Sequence, residues 1–389
     1  MPDREWQIGI TGTFDVENYG DLLFPLLAEE ELRRRLGAVN LHRFSYWEKQ
    51  PPEWPYAVTS VAELPRMIDR LDGLLIGGGF LIRFDERVAD GYGPPSPEIH
   101  HPTGYWLTPA LMALDRGIPV VWNAPGMHCN DIPPWAEPLL ELALRESAYV
   151  SVRDEPSKAA LTRFADGIEV MHDSGFGISR LVPRGESAEM RRVRKMAGLT
   201  KPYIVVQPVR WRDDGFPQFL KANRKQFANY QLLGLPIGPV LGDSWDFFGE
   251  AKSDFARLPF WPDPLLLAEI ISNAAGAIGY SYHLAITALA AGVPVFTSVD
   301  LSAGKFTALA KFDTLHPLSS IHGSADAFFA RLGRKTPSAA ALATLPALDA
   351  HWDRIAGAIR EGRRTTSPSF ARFWQTLPSL LQSPPKESA

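Results

Sequence analysis

The chain has 389 residues, more than one ordinary domain holds, so two or three domains are expected. Hydrophobic residues at 45% allow a large core, and a net charge of -4 leaves no basic surplus for binding nucleic acid. The single cysteine, Cys129, excludes an internal disulfide and a cysteine-based zinc cluster, and points to a reducing, cytoplasmic setting. Met1–Trp6 is polar, with no apolar segment of a secretory leader behind it, and no apolar run approaches the roughly 20 residues of a membrane helix.

In chain order, Ile8–Gly12 reads as a first strand, and Leu22–Leu36 has apolar residues at helical spacing. Leu41–Tyr46 reads as a strand, Val61–Leu71 as a helix, and Gly73–Ile76 as a buried strand running into Gly77-Gly78-Gly79. Helix 105–116, strand 119–122, helix 135–146, strand 148–152, helix 157–164 and strand 169–171 continue the alternation. After a Pro- and Gly-containing connection come strands at 203–207 and within 234–241, helix 264–274, strand 276–279 and helix 283–291. That last helix stops at Gly292, with Pro294 after it, and Val295-Phe296 opens another strand before helix 342–360. Such alternation predicts an α/β protein with parallel sheets, in two Rossmann-like domains facing a cleft. The expected limits are an N-terminal domain over 1–180, a linker over 181–200 and a C-terminal, donor-side domain over 201–365. The tail, 366–389, is expected to pack back on the N-terminal domain, with its end beyond Gln382 frayed.

Ligands of open parallel sheets bind at the carboxyl ends of the strands, so strand-end polar groups are the candidates. The turn Gly12…Asn18-Tyr19-Gly20-Asp21 sits between a strand and a helix, where Asp21 either caps the helix or meets a ligand. Its spacing is not that of the dinucleotide-binding Gly-x-Gly-x-x-Gly. Gly78 and Gly79 permit close backbone approach, either of a ligand or of a neighbouring strand. Arg153 reaches an anion in the cleft or pairs with Asp154. His283, at a strand-to-helix junction, suits a general acid or an anion contact. Arg210 and Arg212 flank Trp211 after another strand and suit a phosphate or carboxylate. His128 and Cys129 complete the strand-end polar groups, and no metal-ligand spacing occurs. Most of the eleven Trp residues are expected in the core and at interfaces.

Together these motifs resemble the polysaccharide pyruvyl transferase family. The resemblance rests on Gly12 with Asn18-Tyr19-Gly20-Asp21, Leu75-Ile76-Gly77-Gly78-Gly79, Ser151-Val152-Arg153-Asp154-Glu155-Pro156-Ser157 and Asp173-Ser174-Gly175-Phe176. It continues with Tyr280-Ser281-Tyr282-His283-Leu284 and Ala290-Ala291-Gly292-Val293-Pro294, followed by Lys305, and covers roughly residues 8–312. It implies a fold like that of the two-domain GT-B glycosyltransferases, and transfer of pyruvate from phosphoenolpyruvate to a sugar as a cyclic ketal. The acceptor it implies is a sugar of a cell-surface polysaccharide or a lipid-linked oligosaccharide precursor, with no metal and no cofactor beyond phosphoenolpyruvate as co-substrate.

By that resemblance His283 is the catalytic acid or donor-phosphate contact, with Arg153, Ser281, Tyr282 and Lys305 expected on the donor side; Arg210 joins them as a strand-end candidate for an anion contact. Asn18, Gly20, Asp21, Gly78, Gly79 and His128 line the acceptor side. The chain departs from the pattern where the family has Arg two positions before the histidine: Ser281 stands there, with Tyr282 in place of Leu. Arg153, Arg210 and Arg212 are the available replacements. Two other readings stay open. One is a GT-B glycosyltransferase with a nucleotide-sugar donor, which needs an acidic residue such as Glu269 or Asp300 near a ribose. The other is a non-catalytic member of an exopolysaccharide assembly. A lipid-borne acceptor also implies peripheral contact with the inner membrane face, for which Trp211–Tyr230, with Phe219, Phe227, Lys221, Arg224 and Lys225, is the candidate stretch.

Overall fold

The computed structural model describes residues 4–84, 102–127, 132–183, 185–210, 216–302, 304–318, 325–365 and 368–382. The N-terminal half carries β1 (Trp6–Thr11), β2 (Val39–Ser45), β3 (Thr59–Ser60), β4 (Gly73–Ile76), β5 (Val120–Trp122), β6 (Ser151–Val152) and β7 (Glu169–Val170). Its helices are α1 (Tyr19–Leu36), α2 (Leu64–Met67), α3 (Leu107–Asp115), α4 (Glu137–Glu146) and α5 (Glu155–Leu161). The parallel sheet runs β3-β2-β1-β4-β5, and a bridge from Val121 to Tyr149 leads on to the β6-β7 pair. After α6 (Ala188–Met196) the second half repeats the plan with β8 (Tyr203–Val206), α7 (Phe216–Ala222), α8 (Arg224–Phe227), β9 (Gln231–Gly234) and β10 (Phe255–Ala256). It continues with α9 (Pro264–Asn273), β11 (Gly276–Ile278), α10 (Tyr282–Ala290), β12 (Val295–Thr297) and β13 (Leu315–Pro317). Then come α11 (Ala325–Arg331), α12 (Ala339–Glu361) and α13 (Pro368–Gln382). Its sheet is parallel in the order β10-β9-β8-β11-β12-β13.

Both orders reverse direction beside the first strand of their half, between β1 and β4 and between β8 and β11. Those reversals are the topological switch points where loops splay apart and leave a crevice. The strands that form them are buried on both faces, β4 and β8 along their whole length, which explains their unbroken apolar sequences. The halves meet edge to edge at these points: the Tyr19 N–H donates to the Ile237 carbonyl at 3.0 Å, and the Tyr19 and Thr287 hydroxyls are 2.7 Å apart.

Three expectations change. The strand placed within 234–241 ends at Gly234, and 239–241 form a 3-10 turn, because Pro236 and Pro239 cannot donate to a ladder. Helix α12, expected within the C-terminal domain, crosses back onto the N-terminal half. There Ile359 abuts Gly73, Arg35 binds Asp349 and Asp353, and His351 reaches Asn123 at 3.0 Å. Beyond it α13 buries Phe370 in the N-terminal core. Finally, Phe219 and Phe227 do not face outward for a membrane, since both pack on Phe328 in the C-terminal core, leaving Lys221, Arg224 and Lys225 exposed. Among the described residues no helix is long and apolar enough to cross a membrane.

Candidate functional site

A pocket of about 500 Å3 opens between the two switch points. Thr13, Val16, Asn18 and Asp21, after β1, and Phe80 and Arg83, after β4, form one wall, with Tyr105 and Arg153. Gln207 and Val209, after β8, form the other with Gly238, Val240, Leu241 and Asp243, with Tyr280–His283 after β11, and with Lys305. The sequence-predicted Asn18, Asp21, Arg153, Ser281, Tyr282, His283 and Lys305 therefore converge on one cavity although 287 positions separate the first from the last.

His283 is 9% exposed and sits in the first turn of α10. Its Nε2 lies 3.5 Å from Asp173 Oδ2 and has no hydrogen bond closer than that contact. The ring meets Phe24 edge-on at 5.5 Å between centroids. Its Nδ1 is pressed against α1: a Cβ on Gly20 would come within 1.7 Å of it. Burial pushes the Asp173 carboxyl up. His283, Arg153 and the Gly175 N–H more than offset that and hold it below the ordinary carboxylate range, so it is ionised beside the ring. Asp21 behaves oppositely. Burial raises its carboxyl above the ordinary range, against the pull of His283, Thr13, Asn18 and Lys305. It accepts from Asn18 Nδ2 at 2.8 Å and does not cap α1, whose N-cap Asn18 makes no side-chain capping bond either.

Arg153 is 3% exposed, with its guanidinium 3.6 Å from Asp154 and 3.8 Å from Asp173, both beyond hydrogen-bond reach; its Nε and Nη2 have no partner. Asp154 instead caps α5 by accepting from the Ser157 N–H at 2.8 Å. The guanidinium lies between two rings, 4.4 Å from the centroid of Phe80 and 5.1 Å from that of Tyr282. The Lys305 ammonium faces the same two rings at 5.8 and 5.7 Å. Lys305 is an exposed residue, but its ammonium is set among protein groups. Burial, and then Arg153, push its pKa down to about 8, while Asp21 and Asp173 pull upward.

The motif glycines stand behind this wall and do not line it. A Cβ on Gly78 would strike the Phe24 ring at 2.4 Å, and one on Gly79, whose φ is +83°, would lie 2.9 Å from Asp21 Oδ1. Gly78, Gly79 and Gly20 thus make room for Phe24, Asp21 and His283, where the sequence suggested approach of a ligand. Arg210 is exposed and lies away from the lining, and His128, Cys129 and Arg212 are outside the described residues. Glu269, the candidate ribose contact, is 3% exposed and accepts from the Ser187 N–H and hydroxyl at 2.6 and 2.7 Å, while Asp300 is exposed and binds Ser302. Neither lines the pocket. Sequence reasoning missed Phe80, Arg83, Gln207 and Asp243 as site residues. It quoted Asp173 in a motif without giving it a role. Its position three residues past β7 was the available signal. Among the described residues no group of three or more His, Cys, Asp and Glu could hold a metal ion.

In overall fold the chain is similar to the UDP-GlcNAc 2-epimerase of Methanocaldococcus jannaschii. The two are 12% identical with a TM-score of 0.54, over 86% of this chain and 94% of that one. It is also similar to the UDP-GlcNAc 2-epimerase of Neisseria meningitidis bound to UDP-GlcNAc, 14% identical with a TM-score of 0.51, over 97% of this chain and 100% of that one. These likenesses establish the GT-B-like arrangement of two Rossmann-like domains. No curated protein sequence matches the chain. The model of the polysaccharide pyruvyl transferase family matches residues 18–300, nearly all of the sequence that builds the cleft, and the chain belongs to that family.

Proposed function

We propose that the protein transfers pyruvate from phosphoenolpyruvate to two hydroxyls of a sugar, forming a cyclic ketal and releasing phosphate. The observation that carries this reading is the pair of cations, Arg153 and Lys305, bracketed by the Phe80 and Tyr282 rings. Two like charges held together favour a small, multiply charged anion, and a donor bearing both a phosphate and a carboxylate answers that need. They also supply the charge that the family's arginine would have brought to position 281. Ser281 instead caps α10 by accepting from the Leu284 N–H at 3.3 Å.

In the reaction the methylene carbon of the enol takes a proton, which leaves an oxocarbenium-like centre at the carbon bearing the phosphate. One sugar hydroxyl adds there and gives up its proton. The second adds to the same carbon as the bond to phosphate oxygen breaks, and also gives up its proton. His283 is the proposed acid, reprotonated by the proton of one hydroxyl, while the departing phosphate carries away the other. The ionised Asp173 beside Nε2 orients the ring. Asp21, Asn18 and Arg83 line the pocket and are the proposed acceptor contacts. The sugar belongs to a cell-surface polysaccharide or its precursor, and the protein works in the cytoplasm.

Thermal unfolding with phosphoenolpyruvate, UDP and GDP in parallel tests the reading. At 100 times its dissociation constant a ligand adds about 2.7 kcal/mol. Stabilisation by phosphoenolpyruvate alone, lost in Lys305→Ala, is the expected result, together with phosphate release that disappears in His283→Ala. Stabilisation by a nucleotide and not by phosphoenolpyruvate would overturn it in favour of a glycosyltransferase, and no response to any of the three would favour a non-catalytic member.

A further inference from the structure

In doubly wound sheets, phosphates settle at the switch point, on the backbone N–H groups that open the following helix. In the C-terminal half that position is the turn between β11 and α10. Here it is filled from within. Gln207, 5% exposed at the end of β8, places Oε1 where it accepts from the N–H of Tyr280 at 2.8 Å and of Ser281 at 2.9 Å. Its Nε2 donates to both oxygens of Asp243, at 2.9 and 3.0 Å. Asp243 in turn accepts from the N–H of Ile237 at 2.6 Å and of Gly238 at 2.9 Å, which ties the loop after β9 into the same lattice. Gly279 completes the fit: a Cβ there would lie 2.7 Å from Gln207 Oε1.

We propose that Gln207 is a specificity-determining residue, whose carboxamide fills the phosphate position at the start of α10 and bars nucleoside diphosphates from the C-terminal half of the cleft. The inference deepens the pyruvyl-transfer reading and rests on it, for it leaves the Arg153–Lys305 pair as the anion site. Every hydrogen-bonding atom of the carboxamide is used, so the side chain is fixed in orientation as well as in place. A phosphate entering here must displace an oxygen held by two N–H groups and then sit beside the Asp243 carboxylate. Both the lost hydrogen bonds and the like charge oppose it. A small anion between Arg153 and Lys305 displaces no such hydrogen bonds, because Arg153 Nε and Nη2 are without hydrogen-bond partners.

The test is calorimetric titration of the full chain with inorganic pyrophosphate, UDP and phosphoenolpyruvate, on wild type and on Gln207→Ala and Gln207→Ser, each made with Asp243→Asn to remove the like charge, and with Asp243→Asn alone as the control. Wild type and the control are expected to bind one pyrophosphate, displaced by phosphoenolpyruvate, and to bind UDP at least tenfold more weakly than the Gln207 variants do. Gln207→Ala gains a second pyrophosphate site that phosphoenolpyruvate does not compete for. Gln207→Ser, shorter but still polar, guards against a loss of fold and gains the same site. Equal UDP affinity in the control and the Gln207 variants, or folded Gln207 variants with no second site, would overturn the assignment of Gln207. Failure of phosphoenolpyruvate to bind wild type would instead overturn the pyruvyl reading, and the second site would still judge Gln207 separately.

Discussion

Two glycine-to-alanine substitutions should move stability in opposite directions. Gly20 lies in the first turn of α1 and Gly357 in α12, so alanine at either relieves the glycine penalty of a helix, worth up to about 1 kcal/mol. At Gly357 an added Cβ meets nothing within 4 Å, and Gly357→Ala is expected to stabilise by about 0.5–1 kcal/mol. At Gly20 the same methyl would lie 1.7 Å from His283 Nδ1, 2.3 Å from Cγ and 2.4 Å from Cε1. The ring cannot retreat, because Phe24 stands edge-on at 5.5 Å, Tyr282 at 5.6 Å, and Asp173 lies at its far nitrogen. Forcing a methyl into such a site costs about 1–3 kcal/mol or more, so Gly20→Ala should be destabilised on balance in spite of its better helix. Urea unfolding followed by fluorescence reads the difference as a lower midpoint for Gly20→Ala and a higher one for Gly357→Ala. Because the displaced group is His283, Gly20→Ala should also lose phosphate release from phosphoenolpyruvate. A Gly20→Ala protein as stable as Gly357→Ala, or one with full activity, would refute the placement of the histidine against α1.

The lowered pKa of Lys305, about 8, predicts that affinity for phosphoenolpyruvate falls as pH rises above that value, since the neutral amine no longer attracts an anion. Binding measured from pH 7 to 9.5 should lose this slope in Lys305→Arg; an unchanged slope would place the titration elsewhere. His351 accepts from the Tyr149 hydroxyl at 3.0 Å through Nδ1 and donates through Nε2 to Asn123 Oδ1. Burial, with the positive fields of Arg354 and Arg35, pushes its pKa down to about 3. The unfolded chain binds a proton here near pH 6.5 and the folded one does not, so stability is lost as pH falls from about 6.5 toward 3. His351→Gln should flatten that part of the stability profile; an equally steep acid loss in the variant would show that other groups govern it.

The parallel architecture and most elements were legible in the sequence because a strand buried on both faces, such as β4 or β8, has to be apolar throughout, and an interleaved amphipathic helix has to be periodic. Strand ends were legible for the same reason, and with them Asp21, Arg153 and His283. Roles were less so. Gly78 and Gly79 read as room for a ligand, but the space they leave holds Phe24 and Asp21, and a sequence does not say which neighbour uses a missing side chain. Arg210 satisfied the strand-end rule as well as Arg153 did, yet it is exposed and is not among the residues that line the pocket.

What the sequence determined by itself was local: hydrophobic periodicity, the turns that follow each strand and the motifs that mark the family. Tertiary structure decided what depends on contacts between distant residues. It brought α12 back over the N-terminal half, where Asp349 and Asp353 meet Arg35 on α1. It set Arg153 beside Lys305 between two rings, and it turned Gln207 into the turn after β11. Such contacts depend on the relative placement of whole elements, which no local pattern encodes, because the same strand-end arginine or glutamine serves equally well facing solvent, a ligand or another loop.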